Sequence, residues 1–385
     1  MTKTIAILGA GSAGLPVAHY LLTYVAPNVP DLRVVLVNPS DEFYWNIASV
    51  RLVIPGQLTD DKYLWSIPKL FAKYPSSKFE LVLGKAQTLS PDTNSVVVAL
   101  NDGTSRKIDY HTVIVATGSN AKGDMPWKPL GSSQETRAAI AKLQEDIKNA
   151  NSIVVGGAGT TGVEFAGELG SEYAKAGKKT VTLVSADALP LEPRIMQRTR
   201  KTALSQLEGL NIKVVSETKV TSITQSGGQQ VLELTGKDGS KTTIKADLFV
   251  PTYGMVLNTQ FAPADMRDAN GYMNQDTFLR APKYKNVFVL GDAGNLQPMQ
   301  ALNVENQVRH LTKNFEAYLE TGKLEEYKFD DKVVIGLTIG RDGGTGQFGT
   351  WKPLSILIWF FVGRYLGTDY AHDYASGLRT FGGKW

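Results

Sequence analysis

Cysteine is absent from the 385 residues of this chain. Its absence excludes disulfide bonds, thiolate metal sites and any dithiol relay that would carry electrons through the protein itself. Histidine is scarce, and because His19, His111, His310 and His372 are scattered along the sequence, we expect no metal site. The chemistry of the chain must therefore come from other side chains or from bound molecules.

An excess of one charge is also lacking. The chain has 41 Lys and Arg against 37 Asp and Glu, a net charge of +4. No long run of like charges occurs, which argues against a nucleic-acid partner. The longest apolar run, residues 354–362, has about half of the roughly 20 residues that a membrane span needs.

The ends of the chain bear on its expected location. Met1-Thr2-Lys3 leads directly into an apolar strand, which is not typical of a signal or transit peptide, and residue 2 is not the glycine that myristoylation requires. We expect a cytoplasmic protein. The alternative is peripheral attachment to a membrane, lipid-droplet or mitochondrial surface through the apolar segment near the C-terminus.

The sequence begins with a strand, a glycine-rich turn and a helix. Residues 4–8 form an uninterrupted apolar run, as expected for a strand buried on both faces. Gly9-Ala10-Gly11-Ser12-Ala13-Gly14 follows, residues 15–24 have helical spacing, and residues 33–37 form the next strand. Such a GxGxxG turn brings backbone N–H groups and a helix N-terminus onto a pyrophosphate.

A second unit of the same kind begins at residue 152. The strand 153–155 precedes Gly157-Ala158-Gly159-Thr160-Thr161-Gly162, and a helix (163–176) and a strand (181–185) follow. One GxGxxG match is weak evidence, but two matches in the same strand-turn-helix context are strong evidence. Each unit is followed by a hairpin with an Asp-Gly turn, so the sequence predicts two similar modules. Two such loops indicate two dinucleotides, for which a bound flavin and a diffusible nicotinamide are the natural pair.

The residue at the end of the second strand of each module normally accepts hydrogen bonds from a ribose. Asn38 stands there in the first module, and its amide oxygen can still accept. Ser185 stands there in the second, and the lack of an acid removes repulsion against a 2′-phosphate. NADPH is therefore a candidate hydride donor beside NADH, because basic residues that follow could reach its 2′-phosphate: Arg194, Arg198, Arg200 and Lys201. The alternative is that these residues form only a solvated helix face.

Three further features carry chemistry. Gly291-Asp292 follows a buried strand and suits a carboxylate that reaches the flavin ribityl chain. Ala116-Thr117-Gly118 is typical of a crossover where the chain passes the cofactor. Glu164, two residues after the second loop, is the candidate catalytic residue at the nicotinamide or the flavin edge; simple stabilisation of the helix dipole is the alternative.

At this point the sequence resembles a known family. It is similar to the flavoproteins with two dinucleotide-binding domains, most closely the apoptosis-inducing-factor-like group that includes ferroptosis suppressor protein. The matching segments span nearly the whole chain and end with a discriminating glycine-rich motif: residues 9–14, 113–119, 156–168, 181–184, 286–293 and 340–347.

The resemblance implies an α/β fold of two Rossmann-like domains with a small C-terminal α+β cap. The FAD-binding domain would comprise residues 1–120 and 247–330, the inserted NAD(P)H-binding domain residues 121–246, and the cap residues 331–385. It implies that FAD is held by Gly9, Gly11, Ser12, Ala13, Gly14, Asn38, Arg51, Ala86, Ala116, Thr117, Gly118, Gly291, Asp292, Gln300 and Ala301. It implies that NADH or NADPH is held by Gly157, Gly159, Thr160, Thr161, Gly162, Glu164 and Ser185.

The aromatic tail aligns poorly with that family. Trp351, Trp359 and Phe360 are the predicted acceptor-binding residues, because they can line an apolar slot. The same side chains can dip into a lipid surface or pack as a plain cap over the FAD domain.

The function that the resemblance implies is an FAD-dependent NAD(P)H:quinone oxidoreductase with a ping-pong mechanism, in a monomer or homodimer. Two alternatives stay open. One is a tailoring flavoenzyme that acts on a specialised small molecule. The other is a non-catalytic flavoprotein that senses NAD(P)H.

Overall fold

The computed structural model describes residues 2–385. A seven-stranded sheet carries the first glycine loop. Five parallel strands are continued at one edge by two antiparallel ones. Their order across the sheet is Val287–Val289, Thr112–Val115, Lys3–Leu8, Leu32–Asn38, Phe79–Ser90, Ser95–Leu100 and Ser105–Asp109. The carboxyl ends of the parallel strands meet at one edge, where α/β sheets bind ligands.

Two long helices flank this sheet. Gly14–Tyr20 follows the first glycine loop and continues as a π-helical turn, Leu21–Val25, and Ala301–Thr321 follows the Gly-Asp segment. The smaller elements of this half are the helices Ser49–Leu52 and Ile67–Phe71, the strand pairs Glu42–Tyr44 with Leu64–Ser66 and Ser119–Ala121 with Met255–Leu257, and the 3₁₀ turns Asn46–Ala48, Asp60–Lys62, Pro91–Thr93, Ala264–Met266 and Gly291–Ala293.

A four-stranded parallel sheet carries the second glycine loop. Its strands lie in the order Ile212–Val215, Thr180–Val184, Ser152–Gly156 and Leu248–Pro251. The three other strands of this half pair antiparallel: Thr218–Ser226, Gln229–Gly236 and Lys241–Ala246. The helices are Ser133–Asn149, Thr160–Leu169, continued by the π-helical turn Gly170–Ala174, and Gln197–Gly209. The predicted helix 163–176 thus begins three residues earlier, directly on the loop.

The C-terminal cap begins with an antiparallel hairpin, Val334–Ile339 with Gly343–Phe348. The glycine-rich second strand forms because glycine lets other atoms come close. A Cβ on Gly346 would lie 2.3 Å from the Ile335 carbonyl oxygen and 3.0 Å from Ile358. The rest of the cap consists of the helix Ser355–Ile358, its π-helical continuation Trp359–Gly363, the helix Ala371–Ala375 and the short strands Arg379–Thr380 and Gly383–Lys384.

The predicted fold class, two Rossmann-like halves with a small cap, is confirmed. Strands on both sides of the second half, at 3–115 and 287–289, share the seven-stranded sheet. Throughout residues 2–385, no helix has both the length and the apolar character needed to cross a bilayer.

Candidate active site

A single large cavity connects the two glycine loops with the cap. Its volume of about 1380 Å³ exceeds the roughly 300–1000 Å³ typical of a site for one small ligand. Most residues that the sequence singled out line it: Gly9, Gly11, Ser12, Ala13, Asn38, Ala86, Ala116, Thr117, Gly118, Gly159, Thr160, Thr161, Glu164, Gly291, Asp292, Gln300, Ala301 and Trp351. Seven others do not line it: Gly14, Arg51, Gly157, Gly162, Ser185, Trp359 and Phe360.

The first glycine loop closes tightly on itself. A Cβ on Gly14 would lie 1.8 Å from the Gly9 carbonyl oxygen, so no larger residue fits there. Gly9 has φ +103°, a conformation that side chains disfavour. Gly11 faces open space, because an added Cβ would meet no atom within 4 Å. Gly9 and Gly14 thus shape the turn, and Gly11 leaves its backbone open to a ligand.

The side chain of Asn38 braces this loop. Its Oδ1 accepts a hydrogen bond from the Ala10 N–H at 3.0 Å, and its Nδ2 donates to the Ser40 carbonyl at 2.7 Å. An amide oxygen has two lone pairs, so one remains for a ribose hydroxyl. An acid does lie nearby: Glu42, which sequence reasoning missed, lines the cavity and is held by Arg137.

Asp292 lies at the start of the 3₁₀ turn that ends the strand Val287–Val289. Its Oδ2 accepts from the Ser119 hydroxyl at 2.8 Å and forms an ion pair with Lys128. Within residues 2–385, Oδ1 makes no hydrogen bond and can accept one from a ligand. Lys128 also lines the cavity, and no motif in the sequence pointed to it.

The second glycine loop repeats the geometry of the first. A Cβ on Gly162 would lie 1.9 Å from the Gly157 carbonyl oxygen, and Gly159 faces open space. The Thr252 hydroxyl donates to the carbonyls of Gly156 and Gly157 at 2.9 and 2.8 Å. This brace comes from the end of Leu248–Pro251, the strand paired with the one that precedes the loop.

Ser185 is buried beside this loop rather than exposed to the cavity. Its hydroxyl donates to the Asp187 carbonyl at 2.9 Å. Three of the four basic residues that follow are engaged within the protein: Arg194 with Glu192, Arg198 with the Thr350 carbonyl and Arg200 with the carbonyls of Leu189 and Pro190. Among residues 2–385, the Lys201 side chain makes no hydrogen bond or ion pair, so it is the one cation of the four that these contacts do not engage.

Glu164 lies where the loop helix, the cavity and the cap meet. Its Oε1 accepts a hydrogen bond from the Thr338 N–H of the cap hairpin at 3.1 Å. The pKa of Glu164 is raised to about 7, chiefly by burial and also by the nearby Glu168, although the hydrogen bond from Thr338 and the charge of Arg51 act to lower it. A carboxyl group with a pKa near neutrality can hold or release a proton at the operating pH.

Arg51 is the clearest departure from the predicted site. Its guanidinium donates to Glu168 Oε1 at 2.9 and 2.7 Å and to the carbonyls of Gly363 and Arg364 at 3.0 and 3.1 Å. The side chain is buried, directs four of its five N–H donors to partners inside the protein and does not line the cavity. Arg51 instead joins the first half of the molecule to the second loop helix and the cap.

The three predicted acceptor residues do not all face the cavity. Trp351 lines the cavity, but Trp359 donates its indole N–H to the Arg341 carbonyl and Phe360 projects away, 54% exposed. Residues three and four apart share a helix face. The cavity is therefore lined by the neighbouring face: Leu357, Ile358, Phe361 and Val362.

The cavity fits two dinucleotides. Both loops present glycine backbone and a helix N-terminus without a side chain in the way, at Gly11 and at Gly159. Asp292 and Asn38 add acceptors at the first loop, and Glu164 lies at the second. These groups match the phosphates and hydroxyls of such ligands.

The chain is similar to several proteins of known sequence or structure. The chain is 37% identical to the oxidoreductase ptaL of Pestalotiopsis fici, over 92% of this chain and 94% of that protein. It is 24% identical to ferroptosis suppressor protein 1 of Xenopus laevis, over 89% and 88% of the two chains, which confirms the predicted resemblance. The fold matches the sulfide:quinone oxidoreductase of Aquifex aeolicus with a TM-score of 0.78 at 16% identity, over 98% of this chain and 92% of that one.

A family model covers most of the chain. The model of the pyridine nucleotide-disulphide oxidoreductases matches residues 3–307, which include both glycine loops and Asp292. The predicted cofactors, FAD with NADH or NADPH, are confirmed. The chain belongs to the pyridine nucleotide-disulphide oxidoreductase family and is an FAD-dependent oxidoreductase that uses NAD(P)H.

Proposed function

We propose that this protein is an NAD(P)H:quinone oxidoreductase, with FAD at the first glycine loop and NAD(P)H at the second. The observation that carries the proposal is the continuity of the cavity, which runs past both loops to an apolar wall in the cap. A chain without cysteine has no dithiol to receive electrons, so the acceptor must come from outside the protein. The structural neighbour from Aquifex aeolicus is a sulfide:quinone oxidoreductase, which supports a quinone as the acceptor.

The first loop is proposed to hold the pyrophosphate of FAD, and Asn38 and Asp292 to accept from its hydroxyls. Bound there, FAD would supply the two-electron redox chemistry that links NAD(P)H to the acceptor. Gly159, Thr160 and Thr161 are proposed to hold the pyrophosphate of NAD(P)H at the second loop. The tight turns at both loops fix the two ligands relative to one another, which supplies the orientation that hydride transfer needs.

Glu164 is the proposed catalytic residue of this site. It lies on the cavity, next to the second loop, and has a pKa of about 7. In its neutral form it can donate a hydrogen bond or a proton, and in its charged form it can only accept. We propose that Glu164 orients the nicotinamide amide and holds a proton that a reduced acceptor needs.

The acceptor is proposed to enter through the cap. Trp351, Pro353, Leu357 and Phe361 line this end of the cavity, and none of these side chains is charged. Such a wall suits a flat, uncharged ring system, as in a quinone.

The outer surface of the same cap helix is apolar. Leu354 and Phe360 lie off the cavity and are 68% and 54% exposed, and Lys352 and Arg364 flank them. A contiguous apolar surface of this kind, edged by cations, fits an anionic lipid surface. We propose that the cap contacts a membrane and draws quinone from it.

One assay with matched variants tests both parts. NADH and NADPH oxidation is followed with a short-chain ubiquinone analogue in solution, with a long-chain quinone in anionic vesicles, and with dioxygen alone. We expect the soluble quinone to raise turnover about a hundredfold over dioxygen. A quinone that adds nothing over dioxygen would refute the proposal and point to a specialised substrate or a sensor.

The variants separate the cavity from the surface. Phe361→Ser, on the cavity, should raise KM about tenfold for both quinones. Phe360→Ser, which lies off the cavity, should leave the soluble quinone unaffected and slow only the vesicle-borne one. Equal effects of the two variants on the soluble quinone would contradict entry through the cap.

A further inference from the structure

The helix after the first glycine loop has a gap in its backbone hydrogen bonds. The Leu15 N–H donates to the Gly11 carbonyl at 3.2 Å, and the Val17 N–H donates to the Ala13 carbonyl at 3.4 Å. The bond between them would run from residue 16 to the Ser12 carbonyl. Residue 16 is proline and has no N–H, so Ser12 lacks its helical donor.

Tyr374, from the far end of the chain, supplies the missing donor. Its hydroxyl donates to the Ser12 carbonyl oxygen at 2.6 Å. The Tyr374 side chain is fully buried and Ser12 is partly buried at the edge of the cavity, so the bond is shielded on the side of the tyrosine. A partly buried carbonyl that lacks a donor costs free energy, and the tyrosine hydroxyl offsets that cost.

Tyr374 belongs to a segment that we call the C-terminal strap, residues 366–385. On one side the strap is fastened to the first half of the molecule. The Trp45 indole N–H donates to the Leu366 carbonyl at 2.9 Å, and His19 Nε2 lies 2.9 Å from the Ala375 carbonyl. Because a carbonyl only accepts, Nε2 carries the proton in this bond.

On its other side the strap is fastened to the helix Ala301–Thr321. The buried Glu305 carboxylate accepts from the backbone N–H groups of Phe381 and Gly382 at 3.2 and 3.0 Å. Arg309 pairs with Glu305 and donates to the Thr380 hydroxyl. The strap therefore ties together the two helices whose N-terminal ends line the cavity at Ser12–Ala13 and at Gln300–Ala301.

The bond to Ser12 also fixes the direction of a loop N–H. In a trans peptide the carbonyl and the next N–H point in opposite directions. Holding the Ser12 carbonyl towards the strap turns the Ala13 N–H the other way. That N–H precedes the helix and has no acceptor within it, and both residues line the cavity.

We propose that Tyr374 is a positioning residue for FAD, which replaces the hydrogen bond that Pro16 omits and so holds the first glycine loop in its binding conformation. The proposal rests on the assignment of that loop to FAD. It makes the strap part of the flavin site, although Tyr374 itself does not line the cavity.

The test is the rate of FAD release from the purified holoprotein, followed by the rise in flavin fluorescence on dilution. Tyr374→Phe keeps the ring and removes the hydroxyl, and we expect release to become roughly tenfold faster. Tyr365→Phe, at a half-exposed position of the same tail, should release FAD at the parental rate.

A second variant makes the test specific. Pro16→Ala restores an N–H opposite the Ser12 carbonyl, so in this background Tyr374→Phe should change release by no more than about twofold. Parental release from Tyr374→Phe, or an undiminished effect in the Pro16→Ala background, would overturn the proposal. A fall in thermal midpoint that is equal in apoprotein and holoprotein, with unchanged release, would mark Tyr374 as packing only. Release is measured without an acceptor, so its outcome is independent of the quinone assay.

Discussion

The two glycine loops share a geometry but differ in how they are held. In each, a Cβ on the last glycine would overlap the carbonyl oxygen of the first, at 1.8 Å for Gly14 and 1.9 Å for Gly162. Two residues beyond, the loops diverge: the first has Pro16 and the second has Glu164. Proline breaks the helical ladder and requires a distant donor, whereas Glu164 continues its helix and presents a carboxyl group to the cavity.

This difference suits two ligands with different residence times. The first loop is braced by Asn38 and by Tyr374, which lies 362 residues from Ser12 in sequence. The second is braced by Thr252, at the end of a neighbouring strand. A loop that is held by several elements favours a ligand that remains bound. A loop that is braced by one neighbouring strand and lies beside a titratable group favours a ligand that binds and dissociates. The comparison supports FAD at the first loop and NAD(P)H at the second.

The largest expected effect comes from exchanging the matched glycines for alanine. Gly14→Ala forces a methyl group into the Gly9 carbonyl, so we expect the protein to purify with little FAD. Gly162→Ala creates the same overlap at the second loop, and we expect it to keep FAD while kcat/KM for NAD(P)H falls at least about a hundredfold. The flavin spectrum and steady-state kinetics measure the two effects.

Gly209→Ala provides the control, since a Cβ there would meet no atom within 4 Å. It should match the parent in both measurements. If Gly162→Ala lost FAD and Gly14→Ala kept it, the assignment of the loops would be reversed.

The loops themselves could be predicted because their chemistry is local. In each module a strand, a six-residue turn and a helix follow one another directly. The GxGxxG spacing itself predicts that only glycine fits at Gly14 and Gly162. The helix after Gly14 was predicted on the same grounds. The contacts that hold the loops could not be predicted in this way. Tyr374 and Arg51 find their partners across long stretches of sequence, and no periodic pattern records such pairs.

The cap is a second region in which tertiary contacts could not be predicted from the local sequence. The sequence predicted Trp351, Trp359 and Phe360 at the acceptor site, but of these three only Trp351 lines the cavity, and Phe361 lines it instead of Phe360. Which of two adjacent phenylalanines faces inward depends on the phase of a short helix packed on Gly346 and its neighbours. That phase is set by tertiary contacts, not by local composition.

A middle-sized effect is expected from the pH dependence of Glu164. Its pKa is raised from 4.5 to about 7, so between these values the folded protein keeps a proton that the unfolded chain releases. The parent therefore loses stability as pH rises through this window, by up to about 3 kcal/mol, and the loss remains above pH 7. Glu164→Gln cannot ionise, so its thermal midpoint relative to the parent should rise between pH 4.5 and 8.

The exposed carboxylate of Glu208 offers a comparison on another helix of the same half, and Glu208→Gln should follow the parent at every pH. A constant difference between Glu164→Gln and the parent across the range would mean that folding does not raise the pKa of Glu164. Titration near neutral pH would then no longer distinguish Glu164 from Pro16, the residue at the matching position of the first loop.

The smallest expected effect comes from the brace of the second loop. Thr252→Val keeps the shape of the side chain and removes the hydroxyl that two loop carbonyls share, a loss of about 1 kcal/mol. We expect KM for NAD(P)H to rise about five- to tenfold with FAD release unchanged, and Thr252→Ser to restore the parental KM. Tyr374→Phe should show the reverse, with faster FAD release and an unchanged KM. If either variant altered FAD release and KM for NAD(P)H to the same degree, the two braces would not act separately. The strain introduced at one loop would then have reached the other loop through the cavity wall.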